Sequence, residues 1–257
     1  MPALFELTLI GGPTAAIDYA GLRWVTDPTF SPPGEYDGLV KTTGPALPPE
    51  RLEPIDVVLV SHDHHSDNLD PGGRELLPRA GRVLTTVAGA GRLGGNATGL
   101  EPWSSIELSG AGGALVTVTA VPALHGPPGA ETVTGPVIGF VLRGAGLPTV
   151  YVSGDNASLD VVGEISERSG PISVAILFAG AVQLPHRFHG AYLTLSGDLA
   201  AQASLILGAG TVIPLHFEGW AHFTQGADQI RAAFSGHGIS DRLRLPERGE
   251  PISVAVA

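Results

Sequence analysis

Cysteine does not occur among the 257 residues. Disulfides, thiolate nucleophiles, iron–sulfur clusters and thiolate zinc sites are therefore excluded, and any metal must be held by imidazole and oxygen. Charge is also scarce, at 15% of residues, and what there is leans acidic: 14 Lys and Arg stand against 25 Asp and Glu, for a formal net charge of −11. Basic residues are scattered rather than clustered, so a phosphate backbone meets repulsion and nucleic acid is not an expected partner. Long apolar runs are missing too. The longest strongly apolar stretch, from Ile172 to Leu184, is interrupted by Ser173 and Gly180 and falls short of the ~20 residues that a spanning helix needs. The start, Met1-Pro2-Ala3-Leu4-Phe5-Glu6, has neither the basic region nor the apolar region of an export signal, so a cytoplasmic location is expected.

What remains is 43% apolar residue content with 36 Gly and 22 Pro, the composition of a compact chain with many turns. The length predicts a single domain covering residues 1–257. Apolar or alternating runs predict strands at Phe5–Ile10, Ala15–Asp18, Arg23–Thr26, Val57–Val60, Val83–Val87, Leu115–Val121, Val137–Leu142, Thr149–Val152, Val174–Phe178 and Thr211–Pro214. Helices are expected over about 159–168, over about 198–207 behind an N-cap at Ser196, and over about 228–234 closed by Gly236. The Pro- and Gly-rich segments 31–49 and 125–136 read as surface loops. Strands first and β–α alternation later predict an α/β fold of packed sheets with helices outside.

The chemistry concentrates in Ser61-His62-Asp63-His64-His65-Ser66-Asp67-Asn68, which follows the strand Asp56–Val60. In extended chain residues i and i+2 face one side, so His62 and His64 are expected to converge on one point. Three histidines in four positions, followed by Asp67 and Asp70, are hard to explain as isolated structural residues. Three other apolar strands each deliver one potential ligand beyond their carboxyl ends: His125 after Leu115–Val121, Asp155 after Thr149–Val152, and His216 after Thr211–Pro214. Sites in α/β sheets assemble at that edge. Taken singly these would be loop and turn residues; together they predict a metal centre.

With these residues in place, the chain resembles the metallo-β-lactamase-fold hydrolases, nearest to the branch of ascorbate-phosphate lactonases and N-acyl-phosphatidylethanolamine phospholipases. Further matches are Leu9-Ile10-Gly11-Gly12-Pro13-Thr14-Ala15-Ala16-Ile17, Trp24-Val25-Thr26-Asp27-Pro28, Ser153-Gly154-Asp155 and Pro214-Leu215-His216-Phe217-Glu218-Gly219-Trp220. The resemblance implies a four-layer αββα sandwich. It also implies that His62, His64 and His125 hold a first divalent metal, that Asp155 bridges, and that Asp67 and His216 serve a second. The family motif His-x-His-x-Asp-His is broken here: one extra residue separates His64 from Asp67, and Asn68 stands where the family carries histidine. An amide oxygen is a poor zinc ligand but acceptable to a harder ion such as manganese, so one or two ions per chain, zinc or manganese, are expected. His65 is an alternate ligand or a residue that orients one, and Asp27 is placed to hydrogen-bond a ligating histidine. His186, His189, His222 and Trp220 flank His216 and are candidates to line a substrate pocket.

The implied activity is hydrolysis of a lactone, ester, amide or phosphodiester in a small molecule, with Asp67 orienting water and carrying a proton. Two rival readings remain. Asn68 motivates a degenerate member with a binding or regulatory role. Gly89-Ala90-Gly91-Arg92-Leu93-Gly94 matches a dinucleotide fingerprint, which makes a nucleotide-binding oxidoreductase the weaker alternative; residues 95–102 cannot form the helix that fingerprint must open.

Overall fold

The structure, a computed structural model, describes residues 5–110, 113–184 and 188–254. In chain order the strands are β1 (Phe5–Gly11), β2 (Thr14–Tyr19), β3 (Leu22–Thr26), β4 (Gly34–Tyr36), β5 (Leu39–Lys41), β6 (Val57–Leu59), β7 (Arg82–Thr86), β8 (Ala97–Leu100), β9 (Ser105–Ser109), β10 (Leu115–Ala123), β11 (Val137–Gly144), β12 (Val150–Val152), β13 (Val174–Phe178), β14 (Thr211–Leu215) and β15 (Pro251–Ser253). The helices are α1 (Pro71–Leu76), α2 (Val87–Leu93), α3 (Glu131–Thr134), α4 (Leu159–Ser169), α5 (Gly197–Leu207) and α6 (Ala227–Gly236).

Two sheets form, ordered β15-β1-β2-β3-β6-β7-β8 and β14-β13-β12-β11-β10-β9, with β4 and β5 making a separate hairpin. Alternation along each strand divides its residues between two cores. In β13, Val174, Ile176 and Phe178 join the core between the sheets, whereas Ala175 and Leu177 face the helices. In β6, Val57 and Leu59 point between the sheets and Val58 points outward. The outer face of the second sheet is covered by α4, α5 and α6 through Val162, Ile165, Ala200, Ala203, Leu207, Ile230 and Phe234. Leu69, Leu76 and Leu77 cover the first. The αββα sandwich is thus present, and its strands read as continuous apolar runs because both faces are buried.

Strands β3, β6, β7 and β8 run parallel, as do β12, β13 and β14. Strand β10 points the same way as β12, each being antiparallel to β11. The carboxyl ends that carry the candidate ligands therefore share one edge of each sheet. Helix starts are fixed by side chains: the Ser196 hydroxyl, the expected N-cap, accepts from Leu199 N at 3.2 Å, and that of Ser158 accepts from Val161 N at 3.3 Å.

Several expectations needed correction. Helix α6 runs through Gly236 and is capped by His237. Residues 31–49 contain the β4–β5 hairpin and residues 125–136 contain α3, elements of three or four residues whose sequences show no period. Strand β7 stops at Thr86, because the Thr86 hydroxyl accepts from Gly89 N and starts α2. The GAGRLG segment lies inside α2 and Gly94 ends it, so the glycines open no helix.

Candidate metal centre

Turns around the candidate centre are held by backbone that few side chains tolerate. Asp27 and His216 sit at φ 28° and 58°, a region that costs a non-glycine residue free energy and recurs at functional sites. Gly154, at φ 56°, has no room for a side chain: a Cβ there would meet Ser61 Cβ at 2.7 Å and Ile138 O at 2.8 Å. This close approach sets Asp155 beside the His62 turn.

Two triads result. Ligand atoms of His62, His65 and His125 lie within 4.8 Å of one another, and so do those of Asp67, Asp155 and His216. All but His65 are buried. Asp155 lies between the triads, with Oδ2 3.5 Å from His125 Nε2 and Oδ1 3.6 Å from His216 Nδ1. Asp67 Oδ2 is 3.3 Å from His216 Nε2.

His64 is the departure from expectation. Strand β6 ends at Leu59 and residues 61–68 follow a turn rather than an extended path, so i and i+2 no longer share a side. The pair that converges is His62 and His65, with Nε2 and Nδ1 2.9 Å apart. The extra residue is thereby absorbed between the two, and His64 turns out to hydrogen-bond the Thr134 carbonyl at the end of α3. Asp63, the other residue of this turn, is buried against Arg92, whose Nε donates to Oδ2 at 2.8 Å and holds the carboxyl well below its ordinary range.

The surroundings settle ring orientation. His125 Nδ1–H donates to Leu193 O at 2.7 Å, which leaves Nε2 as the free lone pair. The Ser61 hydroxyl donates to Asp27 Oδ2 at 2.7 Å and so accepts from His62 Nδ1–H at 3.0 Å, freeing His62 Nε2. Asp27 therefore reaches the histidine through Ser61. Burial pushes the Asp27 carboxyl up to about 7, against the Ser61 hydrogen bonds. Asn68 donates to Asp155 Oδ1 at 3.2 Å and to Asp27 Oδ2 at 3.3 Å.

Electrostatics differ between the triads. Burial and neighbouring imidazoles keep His62 well below its ordinary pKa and bring His65 down to about 4, so both rings are neutral at pH 7. Burial would raise Asp67, yet the His216 ring 3.3 Å away and the His222 hydrogen bond hold it well below the carboxylate range. Burial would likewise lower His216, but the Asp155 and Asp67 charges outweigh that and raise it.

Whether a cation fits is answered by the polar atoms left over. Among the described residues Asn68 Oδ1, Asp155 Oδ2 and both ring nitrogens of His216 are buried without a hydrogen-bond partner. Buried polar groups are rarely left so, and here they are gathered within one donor set of imidazole, carboxylate and amide oxygen, the set that divalent ions take.

A cavity of about 160 Å³ opens on the triads, with Leu39, Val182 and Leu193 facing His65, Asp67, His125 and His222. His222, whose Nε2 is 2.9 Å from Asp67 Oδ2, is closer to the centre than sequence spacing indicated. His189 is exposed and Trp220 is buried beside Tyr36 and His222 rather than on the cavity wall. His186 lies outside the described residues. A larger hollow of about 460 Å³, lined by Arg74, Arg92 and Asn96, contains none of the triad residues.

Residues 23–217 match the beta-lactamase superfamily domain. A UPF0173 metal-dependent hydrolase of Methanosphaerula palustris is 31% identical over 201 residues, covering 76% of this chain and 83% of the relative. The chain belongs to the metal-dependent hydrolases of the beta-lactamase superfamily. N-acyl-phosphatidylethanolamine-hydrolyzing phospholipase D 1 of Caenorhabditis elegans is 25% identical to this hydrolase over 238 residues, covering 86% of this chain and 65% of the relative. A possible metal-dependent hydrolase from Veillonella parvula shares the fold at a TM-score of 0.86 and 19% identity, covering 98% of this hydrolase and 100% of that chain. Among the described residues, no helix of the hydrolase is long and apolar enough to cross a membrane.

Proposed function

We propose that the chain acts as one hydrolase domain with a two-ion centre: His62, His65 and His125 hold the first ion, Asp67 and His216 hold the second with help from Asn68 Oδ1, and Asp155 is shared. The observation that carries this reading is the set of buried, unpartnered atoms on Asn68, Asp155 and His216. Three imidazole nitrogens suit zinc, and an oxygen-rich second set with an amide suits a harder ion such as manganese.

Divalent ions held by these residues would supply Lewis acidity toward a carbonyl or phosphoryl oxygen and would lower the pKa of water at the site. Asp67, kept ionised by His216 and His222, accepts a hydrogen bond from the attacking water, takes its proton and hands it to the departing group as the bond to that group breaks. His125 and His62 are locked as Nε2 ligands by Leu193 and by the Asp27–Ser61 relay. Leu39, Val182 and Leu193 receive the non-reacting part of the substrate and keep bulk water out. The bond cleaved is that of a lactone, ester, amide or phosphodiester in a small molecule. A panel of these four classes, assayed with wild type, chelator-treated protein and Asp155→Ala, tests the reading. Metal-restored turnover of one class, lost in the variant, is expected; turnover that survives both chelation and the substitution would overturn it.

A further inference from the structure

His222 is not a member of either triad, yet it makes a hydrogen bond to the Asp67 carboxylate. Its Nε2 lies 2.9 Å from Asp67 Oδ2 across 155 positions of sequence. The ring packs against Phe223 at 4.7 Å and Trp220 at 6.2 Å between ring centroids and turns its remaining surface to the cavity, and Nδ1 is buried without a partner among the described residues. A carboxylate only accepts, so this bond requires the proton on Nε2 and fixes the tautomer. An imidazole taken out of water for a single hydrogen bond is costly unless that bond is strong, and a bond to an ionised carboxylate is of the stronger kind.

The other neighbours of Asp67 explain why the bond is needed. Position 68 offers an amide whose nitrogen is turned toward Asp155 and Asp27, so the second triad contains one imidazole, His216, against two carboxylates. Asp67 sits on a turn without regular secondary structure, and a carboxylate on such a segment must be oriented from outside. Hairpin β4–β5 and the 216–222 segment are tied together by Thr42 N to Gly219 O at 2.8 Å and Ala221 N to Val40 O at 2.9 Å, which gives His222 a rigid base.

We propose that His222 is a positioning residue: its Nε2–H holds the Asp67 carboxylate in the orientation that captures the second ion, supplying through a hydrogen bond the imidazole that Asn68 does not provide by coordination. This rests on the two-ion reading above. Groups of this kind change metal affinity by roughly 10- to 100-fold when removed.

The test is Mn²⁺ binding to the full chain after chelator treatment, followed by the loss of the free-ion paramagnetic signal, in wild type and in His222→Phe, His222→Ala and His222→Gln. Phe keeps ring volume without a donor, whereas Gln carries a side-chain N–H at nearly the reach of Nε2. The expected result is weakening of the second equivalent by roughly 10- to 100-fold in Phe and Ala, an unchanged first equivalent, and substantial recovery in Gln. If Phe binds both equivalents as wild type does, or if Gln is as impaired as Phe, packing rather than the hydrogen bond is responsible and the proposal falls. If wild type takes up fewer than two equivalents, the two-ion reading itself fails and carries this proposal with it.

Discussion

His62 and His65 face each other through Nε2 and Nδ1 at 2.9 Å, three residues apart on a turn, while His64 between them bonds the Thr134 carbonyl. A converging pair at i and i+3 follows from the end of β6 at Leu59 and from the extra residue in the motif. It separates three neighbouring histidines by position. His65→Ala is expected to lose the first ion and nearly all hydrolysis, whereas His64→Ala keeps the metal and changes turnover by less than about 10-fold, the low end of what groups beyond the ligands contribute. Metal content by mass spectrometry of the two purified variants checks this; loss in His64→Ala with metal retained in His65→Ala would restore the i, i+2 arrangement.

The cluster of buried carboxylate and imidazole atoms predicts a strong dependence of stability on the ion. A ligand at 100 times its dissociation constant stabilises the folded state by about 2.7 kcal/mol. Thermal unfolding with chelator, then with Mn²⁺ or Zn²⁺ restored, is expected to show a clear fall and recovery in melting temperature. A midpoint unmoved by chelation counts against a structural cation.

The two triads differ in proton linkage. In the metal-free protein His62 and His65 are depressed and already neutral at pH 7, whereas His216 is raised by Asp155 and Asp67 and retains a proton further up the pH scale than an ordinary histidine. An ion entering the second triad must displace that proton, so its affinity rises with pH until His216 is neutral, and falls as pH drops. Titration calorimetry in buffers of different ionisation heat is expected to show proton release for the second equivalent and little for the first. The reverse order would contradict the assignment of the triads.

Away from the ions, Lys41 and Asp70 form a buried pair at 2.9 Å, with side-chain exposures of 4% and 0%. Asp70 also accepts from Phe30 N, Ser31 N and Gly73 N, so the pair fastens hairpin β4–β5 to the first turn of α1. Lys41→Ala strands a buried carboxylate and is expected to cost about 3–5 kcal/mol in urea unfolding. A loss below about 1 kcal/mol, the range of an exposed pair, would show that water reaches Asp70.

Much of this was legible in the sequence because long apolar strands announce themselves and each ligand follows one. His125, Asp155 and His216 come after β10, β12 and β14, and both ends of the predicted core strands agree with observation to within a few residues. Less visible was where an apolar run stops being a strand. Val60 and Ser61 carry no sign that the chain turns there, and on that depends whether His64 or His65 faces the centre. The hairpin β4–β5, with three residues per strand, shows no period to read. The bond from His222 to Asp67 spans 155 positions and is made by tertiary packing alone.

The central claim, that two ions share Asp155, is tested most directly by metal stoichiometry of the loaded protein alongside Asp155→Ala. Wild type is expected to hold about two equivalents, and the variant, which removes an oxygen from each triad's neighbourhood, to lose tight binding of at least the second, together with hydrolysis. Less than one equivalent in wild type, or two equally tight equivalents in Asp155→Ala, would contradict it.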